Sequence, residues 1–408
     1  SPLENRQIHS DRSFGINRLV FKEILYSFLV TYKVMKLVAS ISQGLEKEGA
    51  KELIELGAKS VKASRRHISF EADMACLYRI HLRARLSFRF LREVVRFPCH
   101  GPNELYEGVQ SLIDWENWLQ PRQSFRVDVT GFGEGLSHTH FTALQVKNAI
   151  IDLQRDRLGV RSSIDLNNPD ICFHLHLSNY QAVLSVDGSN SSLHKRGYRP
   201  AVGIAPIKET LAAGLMRMTE WDGTNNLVDP LCGSGTFLIE AVSMLIGIAS
   251  GIDRQFLFKN WPDFDISTWN KELKMAQKIK PLNRKLPKII GCEVDEMIAH
   301  SASENVRKAG LEDYIEIINC PFQECQLPPG LGFLICNPPY GKRIGDEDDL
   351  PTLYKQLGQY CKEKAPGWEL WLLNGNPKLS KYLGMKASRR FQVNNGSIDC
   401  RWLNYKIK

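Results

Sequence analysis

Asn226-Leu227-Val228-Asp229-Pro230-Leu231-Cys232-Gly233-Ser234-Gly235-Thr236-Phe237-Leu238-Ile239-Glu240-Ala241 is the stretch that decides the fold. Asn226 to Asp229 is a short apolar run ending in an acid, as a buried parallel strand would be. Gly233 and Gly235 then allow a tight turn and close approach of the backbone to a ligand. Thr236 opens a helix whose first amides have no partner within the helix and face that turn. Strand, glycine turn and helix together form the nucleotide site of an open α/β sheet, at the carboxyl ends of its strands. A tight turn with no ligand would look the same locally. The next acid argues for a ligand: Lys288-Ile289-Ile290-Gly291-Cys292-Glu293 reads as the following strand, with Glu293 at its end. A carboxylate there accepts from both hydroxyls of a ribose, although an acid at a strand end can also simply cap a helix.

The spacing argues against a dinucleotide. A G-x-G-x-x-G fingerprint needs a third glycine where Leu238 stands, and its acid lies about twenty residues on, whereas Glu293 lies about sixty on. No GxxxxGK[ST] occurs, so a phosphate-binding P-loop is excluded. S-adenosyl-L-methionine, an uncharged nucleoside with a charged tail, fits better. Asp229, Pro230, Cys232, Gly233, Ser234, Gly235, Thr236 and Glu293 are its candidate ligands.

A second motif supplies the chemistry. Asn337-Pro338-Pro339-Tyr340-Gly341 follows the apolar strand Gly332-Phe333-Leu334-Ile335-Cys336. Two prolines cannot continue a central strand, so the ladder ends there. The rigid turn leaves the Asn337 amide oxygen and the Pro338 carbonyl as fixed acceptors. An exocyclic amine offers two N–H donors, and two fixed acceptors orient its lone pair, which is catalysis by positioning. Tyr340 offers a flat ring on which an unstacked base can lie. No general base is required, because a methylated amine is acidic. Asn337, Pro338, Pro339 and Tyr340 are the catalytic candidates, with Asn337 also bordering the cofactor.

These runs carry a resemblance. With Leu193-His194-Lys195-Arg196-Gly197-Tyr198-Arg199 and Gly203-Ile204-Ala205-Pro206-Ile207-Lys208-Glu209-Thr210-Leu211-Ala212-Ala213, they resemble the THUMP-domain RNA guanine-N2 methyltransferases. The likeness is closest to the RlmL-type N-terminal half of the fused 23S ribosomal RNA enzyme of some bacteria, and it runs from about Lys36 to the C-terminus. It implies an α/β fold: a Rossmann-like class I methyltransferase domain preceded by an α+β ferredoxin-like and THUMP region. It implies that Pro206, Lys208 and Glu209 line the methionine end of the cofactor, where a plain helix start is the alternative. It also implies an acid for the adenine amine after the strand Ile315-Glu316-Ile317-Ile318. Here Asn319-Cys320-Pro321-Phe322-Gln323-Glu324 follows instead, so Asn319, Gln323 or backbone groups must take that contact. The fused enzyme carries a second methyltransferase beyond this region; this sequence stops short of one, so the expectation is the first modification alone.

Composition agrees. The 408 residues predict two or three domains, with 43% hydrophobic content and a mean hydropathy of −0.27. No run of eighteen apolar residues predicts a membrane span. A net charge of +8 suits a polyanion partner without proving one. Ten scattered cysteines without a C-x-x-C pattern read as reduced thiols of a cytoplasmic protein. His174 and His176, on alternate positions of a strand, read as structural rather than as metal ligands. The expectation is a monomer without metal, acting on ribosomal RNA.

Four segments are expected. Residues 1–33 form an extension read as an upstream start, with a targeting remnant (plastid among others) or an extra helix as alternatives. Residues 34–75 form the ferredoxin-like part, 76–187 the THUMP domain and 188–408 the methyltransferase domain, with Asp187-Gly188-Ser189-Asn190-Ser191-Ser192 as linker. Ser124 to Val129 alternates like a half-buried strand, Thr139 to Leu158 reads as a long helix, and 171–177 with 181–187 reads as a hairpin. Six arginines fall between Arg79 and Arg96. Arg85, Arg89, Arg92 and Arg96 share a face if the segment is helical, while Leu82, Ala84, Leu86, Phe88 and Phe90 alternate as in a strand. Arg85, Arg89 and Arg92 are RNA-backbone candidates against the plainer reading of a solvated face, and Arg196 and Arg199 join them. Because the methyl-transfer motifs all follow residue 200, segment 188–408 is expected to bind cofactor without the rest. A THUMP-type tRNA guanine-N2 methyltransferase and a non-catalytic RNA-binding assembly factor are the other readings; the factor has no need of an intact cofactor turn and N-P-P-Y.

Overall fold

The computed structural model describes residues 34–199, 207–280, 285–341 and 349–408. The expectations for residues 1–33 and for Pro206 lie outside these residues. Two sheets organise the chain.

The first sheet has the order β2-β3-β1-β4-β8-β7-β5-β6. Its strands are β1 (Met35–Ile41), β2 (Lys59–Ser64), β3 (His67–Ala72), β4 (Ser87–Pro98), β5 (Ser124–Gly131), β6 (Ser163–Ile164), β7 (Ile171–Ser178) and β8 (Gln181–Asp187). Its helices are α1 (Glu46–Glu55), α2 (Met74–Arg83), α3 (Pro102–Ser111), α4 (Trp115–Trp118) and α5 (Thr139–Leu158). The expected hairpin is β7–β8, closed by Asn179 and Tyr180, both at positive φ, the geometry that two-residue hairpin turns require.

The arginine-rich segment is both helix and strand. Asp73 caps α2 by accepting from the Cys76 amide at 2.8 Å. The helix stops at Arg83, Ala84 is extended, and β4 begins three residues later. β4 then pairs with β1 on one side and β8 on the other. The division expected at residue 75 therefore falls inside a packed unit, because α2 and the first half of β4 belong with β1–β3.

The second sheet has the order β11-β10-β9-β12-β13-β15-β14. Its strands are β9 (Asn226–Asp229), β10 (Ile289–Glu293), β11 (Glu316–Asn319), β12 (Gly332–Cys336), β13 (Glu369–Asn374), β14 (Arg389–Asn395) and β15 (Ile398–Lys406). The helices are α6 (Glu209–Thr219), α7 (Thr236–Ile246), α8 (Ile266–Ala276), α9 (Glu296–Lys308) and α10 (Leu350–Lys364). β11, β10, β9, β12 and β13 run parallel, and β15 turns antiparallel. Strand order reverses at β9, whose neighbours β10 and β12 both come later in the chain. Such a switch point opens a crevice at the carboxyl ends of the strands, and both sequence motifs sit on its rim.

The expected linker is not a tether. Asp187 and Ser189 are buried. Ser189 Oγ accepts from the Phe90 amide at 3.3 Å, and the Gly188 carbonyl accepts from the Leu257 amide at 2.9 Å. One apolar core runs from Leu45, Tyr78 and Phe90 through Phe258, Trp269 and Leu211, so the two sheets share their interior. Among the described residues no helix is long and apolar enough to cross a membrane.

Candidate active site

The turn after β9 has the shape its glycines predict. Gly233 has φ +50 and Gly235 φ +77, conformations that favour glycine. A Cβ built on Gly233 would meet nothing within 4 Å, so the backbone there borders open space. Asp229 does not face that space. It is buried, and its Oδ1 accepts from the Leu231 amide at 3.1 Å. Burial pushes its carboxyl well above the usual range, with the Glu293 charge adding to the shift. Asp229 therefore shapes the turn. The Cys232 amide donates to the Cys292 carbonyl at 2.9 Å, and its thiol is buried. Pro230 is buried between them. Ser234 Oγ lies 2.9 Å from Thr236 Oγ1.

Glu293 closes the turn from β10. One carboxylate oxygen accepts from the Gly233 amide at 3.1 Å and the other from the Asp295 amide at 3.0 Å. Each oxygen keeps a lone pair, so the carboxylate is both oriented and able to accept from two ribose hydroxyls. Beside it Val294 and Met297 expose apolar side chains, Met297 to 82%. An apolar ledge next to a ribose-binding acid suits a nucleobase face. The sequence reading missed this ledge; an apolar residue directly after the strand-end acid was its signal.

Asn319 occupies the place of the expected acid. Its amide nitrogen donates to the Glu293 carbonyl at 2.9 Å and the Val294 carbonyl at 3.1 Å. With both donors engaged, only Oδ1 remains to meet a ligand. The side chain thus presents an acceptor, as an aspartate would, and the two carbonyls it bonds are ones that would repel an aspartate. Gln323 instead reaches Gln356 at 3.2 Å. Asn305, which no pattern revealed, ties α9 to the turn by donating to the Ser234 carbonyl at 3.1 Å. An open glycine turn, an oriented carboxylate, an apolar ledge and a lone acceptor fit S-adenosyl-L-methionine.

Across the switch point, β12 ends at Cys336 and the prolines follow. Asn337 Oδ1 is buried and has no hydrogen-bond partner among the described residues. Buried acceptors are almost always paired, so an orphan at a strand end marks a place for a donor from outside. Pro338 is buried and Pro339 half-buried. The Tyr340 hydroxyl accepts from Asn395 Nδ2 at 2.9 Å. A Cβ on Gly375 would stand 2.4 Å from the Tyr340 ring. The ring is therefore fixed between the end of β13 and the β14–β15 hairpin. Neither Asn395 nor Gly375 carries a sequence signal for this task.

The arginines correct the sequence reading. Arg85 is buried and pairs with Glu240 at 2.9 Å. Arg89 pairs with Asp187. Arg92 makes two bonds to Asp263 at 2.8 and 2.7 Å and stacks on Trp118 and Trp261. Arg196 donates to the Leu193 and Arg85 carbonyls, and Arg199 pairs with Glu209 at 2.5 Å. All five are held by partners within the protein, Arg89 while half-buried, so neither the RNA patch nor the solvated face describes them. Partners far along the chain decide this, and spacing within one segment cannot show them. Glu209 is accordingly held by Arg199 inside the protein. The Lys208 ammonium lies 5.1 Å over the Phe88 ring. His174 and His176 share Thr130 Oγ1, at 3.2 and 3.0 Å.

Three family models match the chain: the RlmL ferredoxin-like domain over residues 36–91, the THUMP domain over 101–187, and the RMKL-like methyltransferase domain over 196–404. Among curated proteins, slr0064 of Synechocystis sp., provisionally named an RNA methyltransferase, is 42% identical over 90% of this chain and 96% of its own length. The ribosomal RNA large subunit methyltransferase K/L of Syntrophotalea carbinolica is 36% identical over 91% of this chain. The chain spans 54% of that relative's length. Among solved structures, SMU.472, a provisionally named methyltransferase complexed with SAH, is 28% identical with a TM-score of 0.83, over 92% of this chain and 99% of its own.

Proposed function

The chain belongs to the RMKL-like methyltransferase family, and we propose that it methylates the exocyclic 2-amino group of a guanine in large-subunit ribosomal RNA. The coarser part is plain: the chain is an S-adenosyl-L-methionine-dependent methyltransferase with a THUMP domain ahead of its catalytic sheet. The finer reading draws on the names of the K/L relatives and on one observation, the orphaned Asn337 Oδ1.

Bound at the glycine turn, S-adenosyl-L-methionine supplies a methyl group on a positively charged sulfur. Glu293 would hold the ribose, and Asn319 Oδ1 and the Val294 ledge would meet the adenine. Asn337 Oδ1 and the Pro338 carbonyl accept the two N–H groups of the guanine amine. That pairing leaves the nitrogen lone pair directed away from both acceptors and fixes the amine in one rotational state. Tyr340 supports the unstacked base, and Asn395 keeps the tyrosine from turning. Transfer would break the sulfur–methyl bond, release the neutral thioether S-adenosyl-L-homocysteine and leave a cationic amine whose proton passes to water, so no titrating side chain is needed.

The experiment is methylation of unmodified ribosomal RNA and of transfer RNA by the purified chain with isotope-labelled cofactor, followed by nuclease digestion and mass mapping. The expected product is N2-methylguanosine at one position of the large-subunit RNA. Label in transfer RNA, or on an adenine, would overturn the reading.

A further inference from the structure

With Arg85, Arg89 and Arg92 engaged by buried or half-buried carboxylates, other cations are left to face a ligand from outside. Arg65, Arg66 and Lys208 line one cleft of about 470 Å³, within the range of ligand pockets, roughly 300–1,000 Å³. Its walls come from both halves of the molecule. The β2–β3 turn and Phe88 form one side, and the β14–β15 turn from Asn394 to Asp399 forms the other. The halves are tied where the Asn394 amide donates to the Gln43 carbonyl at 3.0 Å, and on the first side Arg65 Nε donates to Gln43 Oε1 at 3.3 Å. Arg65 and Arg66 are exposed; the Arg66 backbone amide donates to Glu46 Oε1 at 2.9 Å, and neither guanidinium is ion-paired to a carboxylate among the described residues.

The corner is electropositive. His194, edge-on to Phe88, is pushed down to about 4 by burial and then by the charges of Lys208, Lys195, Arg199 and Arg196. The one acid in the cleft, Asp399, accepts from Asn394 Nδ2 at 2.9 Å. Asn394 Oδ1 is itself buried and unpartnered among the described residues, an acceptor that a phosphate cannot satisfy and a ribose hydroxyl can. The next residue, Asn395, donates to the Tyr340 hydroxyl at 2.9 Å, so the cleft wall is hydrogen-bonded to the catalytic turn.

We propose that this cleft binds the sugar–phosphate backbone of single-stranded RNA beside the nucleoside that enters the Asn337–Tyr340 turn. Arg65, Arg66 and Lys208 take phosphates, and Asn394 Oδ1 takes a ribose 2′-hydroxyl. The inference rests on the RNA reading above and assigns the place where the strand enters. Phosphate contacts of this kind release counterions, and the 2′-hydroxyl is what separates RNA from DNA.

The test uses the full chain, an unmodified large-subunit ribosomal RNA transcript, and oligouridylate with its 2′-deoxy counterpart, titrated over a range of salt concentrations. Arg65→Glu/Arg66→Glu should weaken RNA binding about tenfold at low salt and lower the salt slope by about 1.4, roughly 0.7 per lost contact. Cofactor affinity by calorimetry should not change. Reversing two exposed arginines at the far end of α5, Arg155→Glu with Arg161→Glu, should move RNA affinity less than twofold. Asn394→Ala should narrow the preference for the ribo over the deoxy probe. An unchanged affinity and slope in Arg65→Glu/Arg66→Glu, while the wild type binds RNA, overturns this inference alone. No RNA binding by the wild type overturns the RNA reading beneath it.

Discussion

Asn337 and Gly233 make separable contributions. Asn337→Ala removes the orphaned acceptor without touching the glycine turn. Turnover should fall about a hundredfold or more, as expected for an oriented hydrogen bond worth roughly 3 kcal/mol in the transition state. Cofactor affinity, read by calorimetry, should stay within about twofold. Normal turnover in that variant would remove the amine-positioning role. Gly233→Val does the reverse. Its side chain would project into the open space beside Glu293, at a φ of +50 where β-branched residues are strained. Cofactor binding should become undetectable while the melting transition persists; measurable binding in the folded variant would mean that the space is not the cofactor's. Both residues were legible in the sequence, because prolines and glycines have backbone consequences that a string of letters shows. Asn319 was legible as a departure but not as a solution, since its two carbonyl partners belong to another strand. Asn395 and Gly375 were not legible at all, because what they hold lies some tens of residues away in sequence and only the folded chain brings it near.

At the scale of elements, α2 and β4 show what periodicity can and cannot tell. It found strands β5, β7, β8, β9, β10, β11 and β12 and helices α5 and α7. It could not place the arginines, because an arginine facing solvent and one facing Glu240 look alike in sequence. Arg85→Ala should leave buried Glu240 with only Arg196 of its two arginine partners and cost about 3 kcal/mol, measurable as a lowered denaturant midpoint, with the salt slope of RNA binding unchanged. A variant as stable as the wild type would return Arg85 to the surface. His81, also on α2, makes a pH-dependent contribution. Its Nδ1 donates to the Leu77 carbonyl at 2.8 Å, and its Nε2 is buried without a partner among the described residues. Burial pushes the imidazole down to about 4, while the unfolded chain titrates near 6.5. The stability this adds is fully present above the unfolded value and is lost as pH falls from about 6.5 toward 4. By pH 5 the loss is about 2 kcal/mol. The buried acids Glu52, Asp229 and Glu209 are shifted up and act in the opposite sense, so the difference between wild type and His81→Leu isolates the histidine. That difference should shrink by about 2 kcal/mol between pH 7 and pH 5 in urea titrations, and a constant difference would exclude the buried neutral imidazole.

The whole molecule is where the sequence reading fails most instructively. Motif positions alone suggest that residues 188–408 form a separable catalytic unit, since every methyl-transfer motif lies there. The structure joins that segment to the rest through its core. Tyr78 of α2 packs on Phe258 at 5.0 Å and on Trp269 of α8 at 5.6 Å between ring centroids. Arg79 pairs with Glu272 at 2.7 Å, Arg85 with Glu240, and Arg92 with Asp263 at 2.7 Å. Cutting at residue 188 would uncover the aromatic cluster and leave Glu240 buried with one of its two arginines gone. Uncompensated buried charge and exposed core are each costly against a total stability of about 5–15 kcal/mol. The isolated segment 188–408 should therefore show no cooperative thermal transition and no cofactor binding. The intact chain should unfold in one transition, seen alike by near-UV and far-UV circular dichroism. A truncated segment that melts cooperatively and binds S-adenosyl-L-methionine would show that the two sheets are independent, and that the ion pairs between them set domain orientation rather than the stability of the catalytic half.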